Sequence, residues 1–322
     1  MFKEQKLLRF SYNSYYLNER NILMKKLHQK EFKYNFYPEK NNHKTIYSWI
    51  KNGHFYENDI GLFLTRIISP KDTCVDIGAN IGMHSLLMSS LVGSEGKVIA
   101  FEPGKESSEE LRANIKLNNF RNIKLKKIIL GENSGEEVFF HCSSHDSGTS
   151  YGVKKPDNEN LDWKSLKTST LDKEINDKKI KVVKIDVEGF EGQILRGSQS
   201  LLKNDIVRYW IVEYAPHCLA RLNDSLNTMR VHMRKYGLEM FVLDPSGGLP
   251  KYIPHKSDLK LHGIPNLLFT KMDSINVDWL LEDLEQHYYP KMLYAKKIYN
   301  HSSIKIISVF KKMVPLVRLE RT

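Results

Sequence analysis

Four apolar runs in this chain end at or next to an acidic residue, and those acids are the groups whose placement could do chemistry. Asp76 lies in the run 73–77, Glu102 closes 97–102, Asp186 closes 181–186 and Glu213 lies in 208–214. If the runs are strands of one open sheet, the four carboxylates ring a single crevice beyond the strands' carboxyl ends. Glu188 follows Asp186 by two residues, so in extended backbone the pair points the same way. Such a pair can raise one member's pKa toward that of a general base, or hold a hard cation. Glu188 could equally do no more than cap the helix that follows. Two imidazoles, His217 and His145, are the other candidate bases, since free histidine titrates near about pH 6.5.

A glycine turn sits beside the first acid, in Asp76-Ile-Gly-Ala-Asn-Ile-Gly82. Glycine there lets the backbone approach a ligand, and the helix that opens next offers unpaired N–H groups to an anion. The turn lacks the third glycine of a pyrophosphate-binding fingerprint. Asp76, two residues before Gly78, would repel a pyrophosphate but can pair with an ammonium. Glu102, twenty-six residues on, is placed for ribose hydroxyls in a repeated α/β unit. An amino-acid ammonium, a ribose and no phosphate together describe S-adenosylmethionine.

Positioning these groups requires alternating strands and helices. The apolar pattern predicts strands at 73–77, 97–102, 123–130, 181–186, 208–214, 238–243 and 266–271, with helices at 82–92, 105–118, 190–203 and 224–236. That alternation implies a mostly parallel sheet covered on both faces. A further helical pattern runs from Ile46 to Ile68 and stops at Ser69-Pro70. The stretch 137–142 is strand-like, and 143–160 is polar and without periodicity, which reads as a lid over the substrate. Three parts follow: a basic helical arm over 1–45, a ligand-binding domain over 46–271 and a basic helical extension over 272–322.

At 322 residues and 41% hydrophobic content the chain can bury a sizeable core. Its three cysteines, Cys74, Cys142 and Cys218, form no C-x-x-C pair, so neither a disulfide framework nor a zinc site is expected, and a reducing cytoplasm is the simplest compartment. The first residues lack the pattern of a signal peptide, and no apolar run reaches the ~18 residues of a membrane span. Residues 1–54 hold eleven Lys and Arg against four acids and residues 286–322 eight against one, so the +11 net charge belongs to the ends and the middle is slightly acidic. An acidic centre speaks against a nucleic-acid partner. In the tail, Ile306, Val309, Phe310 and Met313 share a helical face beside Lys305, Lys311 and Lys312. That face suits peripheral contact with an anionic membrane, or packing against its own domain or a second copy in a homo-oligomer.

A series of motifs extends the reading. Asp76-Ile-Gly-Ala-Asn-Ile-Gly82, Phe101-Glu-Pro103, Leu111-Arg-Ala-Asn-Ile-Lys-Leu-Asn118, Leu130-Gly-Glu132, Ser147-Gly-Thr-Ser150, Thr170-Leu-Asp172, Lys184-Ile-Asp-Val-Glu-Gly189, Leu195-Arg-Gly197 and Asn266-Leu-Leu-Phe269 occur in this order. Over about residues 53–271 the chain resembles FkbM-type methyltransferases. The resemblance implies a class I methyltransferase fold, α/β and Rossmann-like, with a seven-stranded sheet whose last strand is antiparallel. It also implies S-adenosylmethionine as cofactor and O-methylation of a sugar or secondary-metabolite hydroxyl. By the same resemblance Asp76, Gly78, Ala79, Asn80 and Gly82 cradle the methionine end, Glu102 holds the ribose, and Leu130, Gly131 and Glu132 flank the adenine. Asp186 and Glu188 face the methyl group and the acceptor. A methyltransferase acting on protein or nucleic acid, or a non-catalytic domain keeping the fold, is the alternative. The acidic centre and the lack of an Asn-Pro-Pro-Tyr-type motif count against the former, and the intact cofactor motifs against the latter. The resemblance explains neither the arm before residue 45 nor the tail after 272.

Overall fold

Short runs of β-branched and aromatic residues, punctuated by glycine, asparagine and proline, become the strands of this chain. A computed structural model describes residues 8–12, 32–36, 45–46, 48, 56–143, 147–156, 161–244, 249–254 and 264–274, all within Met1–Ser274, the first of two compact units. The strands are β1 (Leu8–Tyr12), β2 (Phe32–Phe36), β3 (Thr73–Ile77), β4 (Lys97–Phe101), β5 (Ile123–Lys126), β6 (Glu137–His141) and β7 (Tyr151–Val153). They continue with β8 (Trp163–Lys167), β9 (Ile180–Ile185), β10 (Val207–Glu213), β11 (Glu239–Val242), β12 (Lys251–Tyr252) and β13 (Asn266–Thr270). The helices are α1 (Asn58–Ile67), α2 (Met83–Val92), α3 (Lys105–Leu117), α4 (Leu171–Glu174), α5 (Glu191–Arg196), α6 (Gln199–Lys203), α7 (Pro216–Ala220) and α8 (Leu226–Arg234).

Eight strands make the main sheet, in the order β12-β11-β13-β10-β9-β3-β4-β5. The strands from β10 to β5 are mutually parallel, and β13 runs antiparallel to both β10 and β11. The expected antiparallel last strand is therefore present, and the sheet exceeds the expected seven strands by the two-residue edge strand β12. The chain builds outward from β3 to β5, then returns to β9 on the other side of β3. That reversal opens a crevice between the carboxyl ends of β3 and β9. These two strands are continuous in burial: Cys74, Val75, Val182, Val183 and Ile185 have no exposed surface. Burying each such side chain stabilises the fold by about 1.5–3 kcal/mol. Register places Asp76 opposite Lys184, which sets up the central ion pair of the site.

Several elements depart from expectation. The helix expected over 190–203 is two helices, broken at Gly197 and Ser198. A Cβ on Gly197 would stand 2.1 Å from the carbonyl oxygen of Gly131, and the Ser198 hydroxyl donates back to the Ile194 carbonyl at 2.7 Å. The strand expected over 123–130 stops at Lys126, and Leu130 turns aside to bridge Ser169. The segment expected to be an irregular lid is partly ordered: Ser147–Thr149 is a turn of 3-10 helix, and β7 and β8 flank β6 in a separate antiparallel sheet. Within the arm expected to be helical, β1 and β2 pair antiparallel, in keeping with their alternating Phe and Tyr content. The amphipathic pattern at 303–315 lies outside the described residues. Among the described residues no helix is long and apolar enough to cross a membrane.

Candidate functional site

The loop between β3 and α2 is drawn tightly onto its neighbours. Gly78 has φ +79°, and a Cβ there would sit 1.7 Å from the carbonyl oxygen of Asp186, so only glycine lets the exits of β3 and β9 touch. The N–H groups of Gly78 and Ala79 both donate to the Phe101 carbonyl at 3.0 Å. Asn80 is left-handed at φ +48°, and its N–H donates to Glu102 Oε2 at 2.9 Å. Gly104 N–H donates to Oε1 of the same carboxylate at 2.8 Å. Gly82, at φ +101°, starts α2 against Leu111, where a Cβ would meet Cδ1 at 2.3 Å. It braces the loop without lining the cavity.

That cavity opens where sequence placed the crevice. Gly78, Ala79, Asn80, Glu102, Leu130, Asp186, Glu188 and Glu213 line it. Asp76 does not: it is completely buried, its Oδ2 accepts from the Ser85 hydroxyl at 2.5 Å, and its Oδ1 lies 4.0 Å from Lys184 Nζ. The ammonium that Asp76 meets is this chain's own. Lys184 does line the cavity and donates to Asp186 Oδ2 at 2.8 Å. Burial opposes its charge, but Asp186, Asp76 and Glu57 outweigh burial and hold its pKa above the usual lysine range.

Glu57, which no sequence pattern singled out, enters from the segment before α1. It is left-handed at φ +53°, and Asn266 Nδ2 donates to its Oε1 at 3.3 Å. Glu57, Asp186 and Glu213 bring carboxylate oxygens within 4.8 Å of one another. Burial, followed by repulsion from Asp186, pushes Glu57 up to about 8 and Glu213 up to about 11. Three pocket residues, Glu57, Asn80 and Glu188, are thus non-glycines with positive φ, a costly conformation that clusters at functional sites.

Glu188 stands at the other side of Asp186. Cys218 Sγ–H donates to its Oε2 at 2.9 Å, and its pKa is raised, chiefly by burial and then by Asp186, against the lowering by Cys218. Glu188 does not cap the following helix, whose N-cap is Phe190 with no side-chain hydrogen bond; Glu191, its first residue, instead braces the preceding turn by accepting from the N–H groups of Val187 and Gly189 at 3.0–3.1 Å. His217 is exposed, with a ring nitrogen within 4.8 Å of the Glu188 carboxylate. His145 lies outside the described residues. Gly131 and Glu132 sit behind the wall: Gly131 N–H donates to the Ser169 carbonyl at 2.9 Å, and Glu132 accepts from Arg196 Nε at 2.7 Å. Phe140, Gly148, Ser150 and Gly152 supply a wall from the accessory sheet and the segment read as a lid.

The sequence matches the Methyltransferase FkbM domain over residues 76–240, just over half of the chain. The chain belongs to the FkbM methyltransferase family. No curated protein matches it. Among solved structures it is similar to an S-adenosylmethionine-dependent O-methyltransferase from Thermotoga maritima, at 12% identity and a TM-score of 0.35, over 67% of this chain and 64% of that one. It is also similar to Aeropyrum pernix fibrillarin with natively bound S-adenosylmethionine, at 13% identity and a TM-score of 0.36, over 63% and 67% of the chains. A third likeness is to an S-adenosylmethionine-dependent methyltransferase from Aquifex aeolicus, at 11% identity and a TM-score of 0.37, over 67% and 88%. Likeness this distant carries no property across.

The cofactor of this FkbM methyltransferase is S-adenosylmethionine, and its residues fit that molecule. Ile128, Ile129, Leu130 and Phe140 give the cavity an apolar side suited to a purine. The Glu102 carboxylate is fixed at the cavity wall by the N–H groups of Asn80 and Gly104, and its oxygens are acceptors of the kind a ribose diol requires. At the acidic end, Glu57 Oε2 and Glu213 Oε2 are buried without a hydrogen-bond partner among the described residues, an arrangement that favours arrival of a positive group.

Proposed function

We propose that this FkbM methyltransferase methylates a hydroxyl of a sugar or other small molecule, and that Glu188 takes the hydroxyl proton. The observation that carries the reading is the pair at the end of β9: Asp186 and Glu188 both line the cavity, but only Asp186 is bound by Lys184. Asp186 therefore positions the lysine, and Glu188 remains the carboxylate with raised basicity and access to the acceptor. Bound S-adenosylmethionine supplies an electrophilic methyl group on a sulfonium. The chain's part is to orient the acceptor oxygen and remove its proton, because a sugar hydroxyl is a weak acid. The proton passes from the hydroxyl to a Glu188 oxygen, and exposed His217 beside it offers a route to solvent.

The acceptor class follows from the family resemblance and from the acidic wall, which suits a neutral or cationic molecule better than a polyphosphate chain. Substitution Glu188→Gln keeps the shape and removes the base. Turnover is expected to drop by about 10²–10⁴-fold, with S-adenosylmethionine affinity, read by calorimetry, held within about threefold of wild type. Unchanged turnover would remove Glu188 from this role.

A further inference from the structure

The spacing around the glycine turn gives the cofactor's ammonium to Asp76, but the geometry assigns Asp76 another partner. It is not part of the cavity lining: the Ser85 hydroxyl donates to its Oδ2, and the Lys184 ammonium stands 4.0 Å from its Oδ1. Lys184 is in turn committed to Asp186. Glu57 differs in reaching the cavity. It lines the same cavity as Gly78, Ala79 and Asn80, and its Oε2 is buried with no hydrogen-bond partner. Among the described residues the one basic nitrogen within 4 Å of it is His84 Nε2, at 3.8 Å, on an imidazole that burial and Lys184 keep neutral.

The carboxylate is also held in place. Asn266 Nδ2 donates to both Glu57 Oε1 and Asp59 Oδ2, at 3.3 and 3.0 Å, and Asn266 itself pairs in register with Glu213 at the end of β10. We infer that Glu57 receives the α-ammonium of S-adenosylmethionine, and that Asp76 acts behind it by holding Lys184. Glu213 presents a second buried oxygen without a partner, but among the described residues no side chain holds its other oxygen as Asn266 holds Glu57 Oε1. The inference rests on S-adenosylmethionine as donor and is independent of the acceptor.

The test is calorimetric titration of the full chain with three ligands: S-adenosylmethionine, S-adenosylhomocysteine, and 5′-methylthioadenosine, which keeps the nucleoside and thioether but has no amino acid. Glu57→Gln keeps the side-chain length and an oxygen for Asn266. It is expected to weaken the two amino-acid ligands by about 10- to 100-fold and 5′-methylthioadenosine by less than about twofold. Glu57→Asp, which keeps the charge but shortens the reach, should show the same selectivity with a smaller loss, and stands in should the glutamine variant not fold. Equal loss across all three ligands, or unchanged S-adenosylhomocysteine affinity, would overturn the inference. A wild-type chain that binds 5′-methylthioadenosine but neither amino-acid ligand would overturn it too, whereas one that binds none of the three would overturn the donor assignment beneath it.

Discussion

Asp186 and Glu188 are two residues apart and serve different ends because their neighbours differ: an ammonium holds the first, while burial, the Cys218 thiol and nearby His217 surround the second. That division predicts a pH profile. Glu188 acts as a base only when ionised, and its pKa is raised, so the rate under saturating cofactor should climb with pH through that raised value and then level off. Stability runs the other way. Burial raises Glu57 to about 8 and Glu191 to about 7, against about 4.3 for an unfolded glutamate. A carboxyl with a higher pKa folded than unfolded contributes stability that is whole below the unfolded value and is lost as pH rises through the folded one. The Tm of the ligand-free chain should therefore fall between about pH 5 and about pH 8, and Glu57→Gln should flatten part of that slope in scanning calorimetry. A slope unchanged by the substitution would remove Glu57 as a contributor. The sequence displayed the place of each strand-end acid but not the partner. Asp76 faces Lys184 because of strand register, and Glu57 reaches the cavity from a helix start, and neither fact leaves a local mark in the chain.

At the scale of elements, β3, β4 and β9 match the apolar pattern to within a residue at each end, because both faces are covered and the runs are unbroken. The accessory sheet was hidden because Trp163-Lys-Ser-Leu-Lys167 is mostly polar and its partner lies more than twenty residues upstream. The helix break at Gly197 was hidden too, since its cause is the distant backbone of Gly131. One side chain ties these parts together. Arg196, at the end of α5, bonds Glu132 after Leu130 and both carboxylate oxygens of Asp224 before α8, at 2.7–2.9 Å. The Asp224 side chain is only 2% exposed, so Arg196→Leu would leave a buried charge without its partner. The expected cost is about 3 kcal/mol in urea unfolding, with cofactor affinity at low temperature nearly unchanged because neither Arg196 nor Asp224 lines the cavity. A loss under about 0.5 kcal/mol would mean that the clamp is slack.

Across the whole molecule, charge is divided in a way that bears on what the enzyme accepts. The chain carries +11 overall, yet the cavity wall presents Glu57, Glu102, Asp186, Glu188 and Glu213 against Lys184. A cation that enters this cavity favours ionisation of the buried carboxyls and is held by them, whereas a polyanion meets no such gain. The order of strands, the glycine turn and the family match fix the donor, and the acceptor's chemistry is the claim still to be measured. The most direct measurement supplies S-adenosylmethionine carrying an isotope-labelled methyl group, together with fractionated glycan, small-molecule, RNA and protein pools, and reads by NMR which atom the labelled carbon joins. The expected result is a methyl ether on a glycan or small-molecule hydroxyl. Label on nitrogen or carbon, or recovered in RNA or protein, would contradict the account.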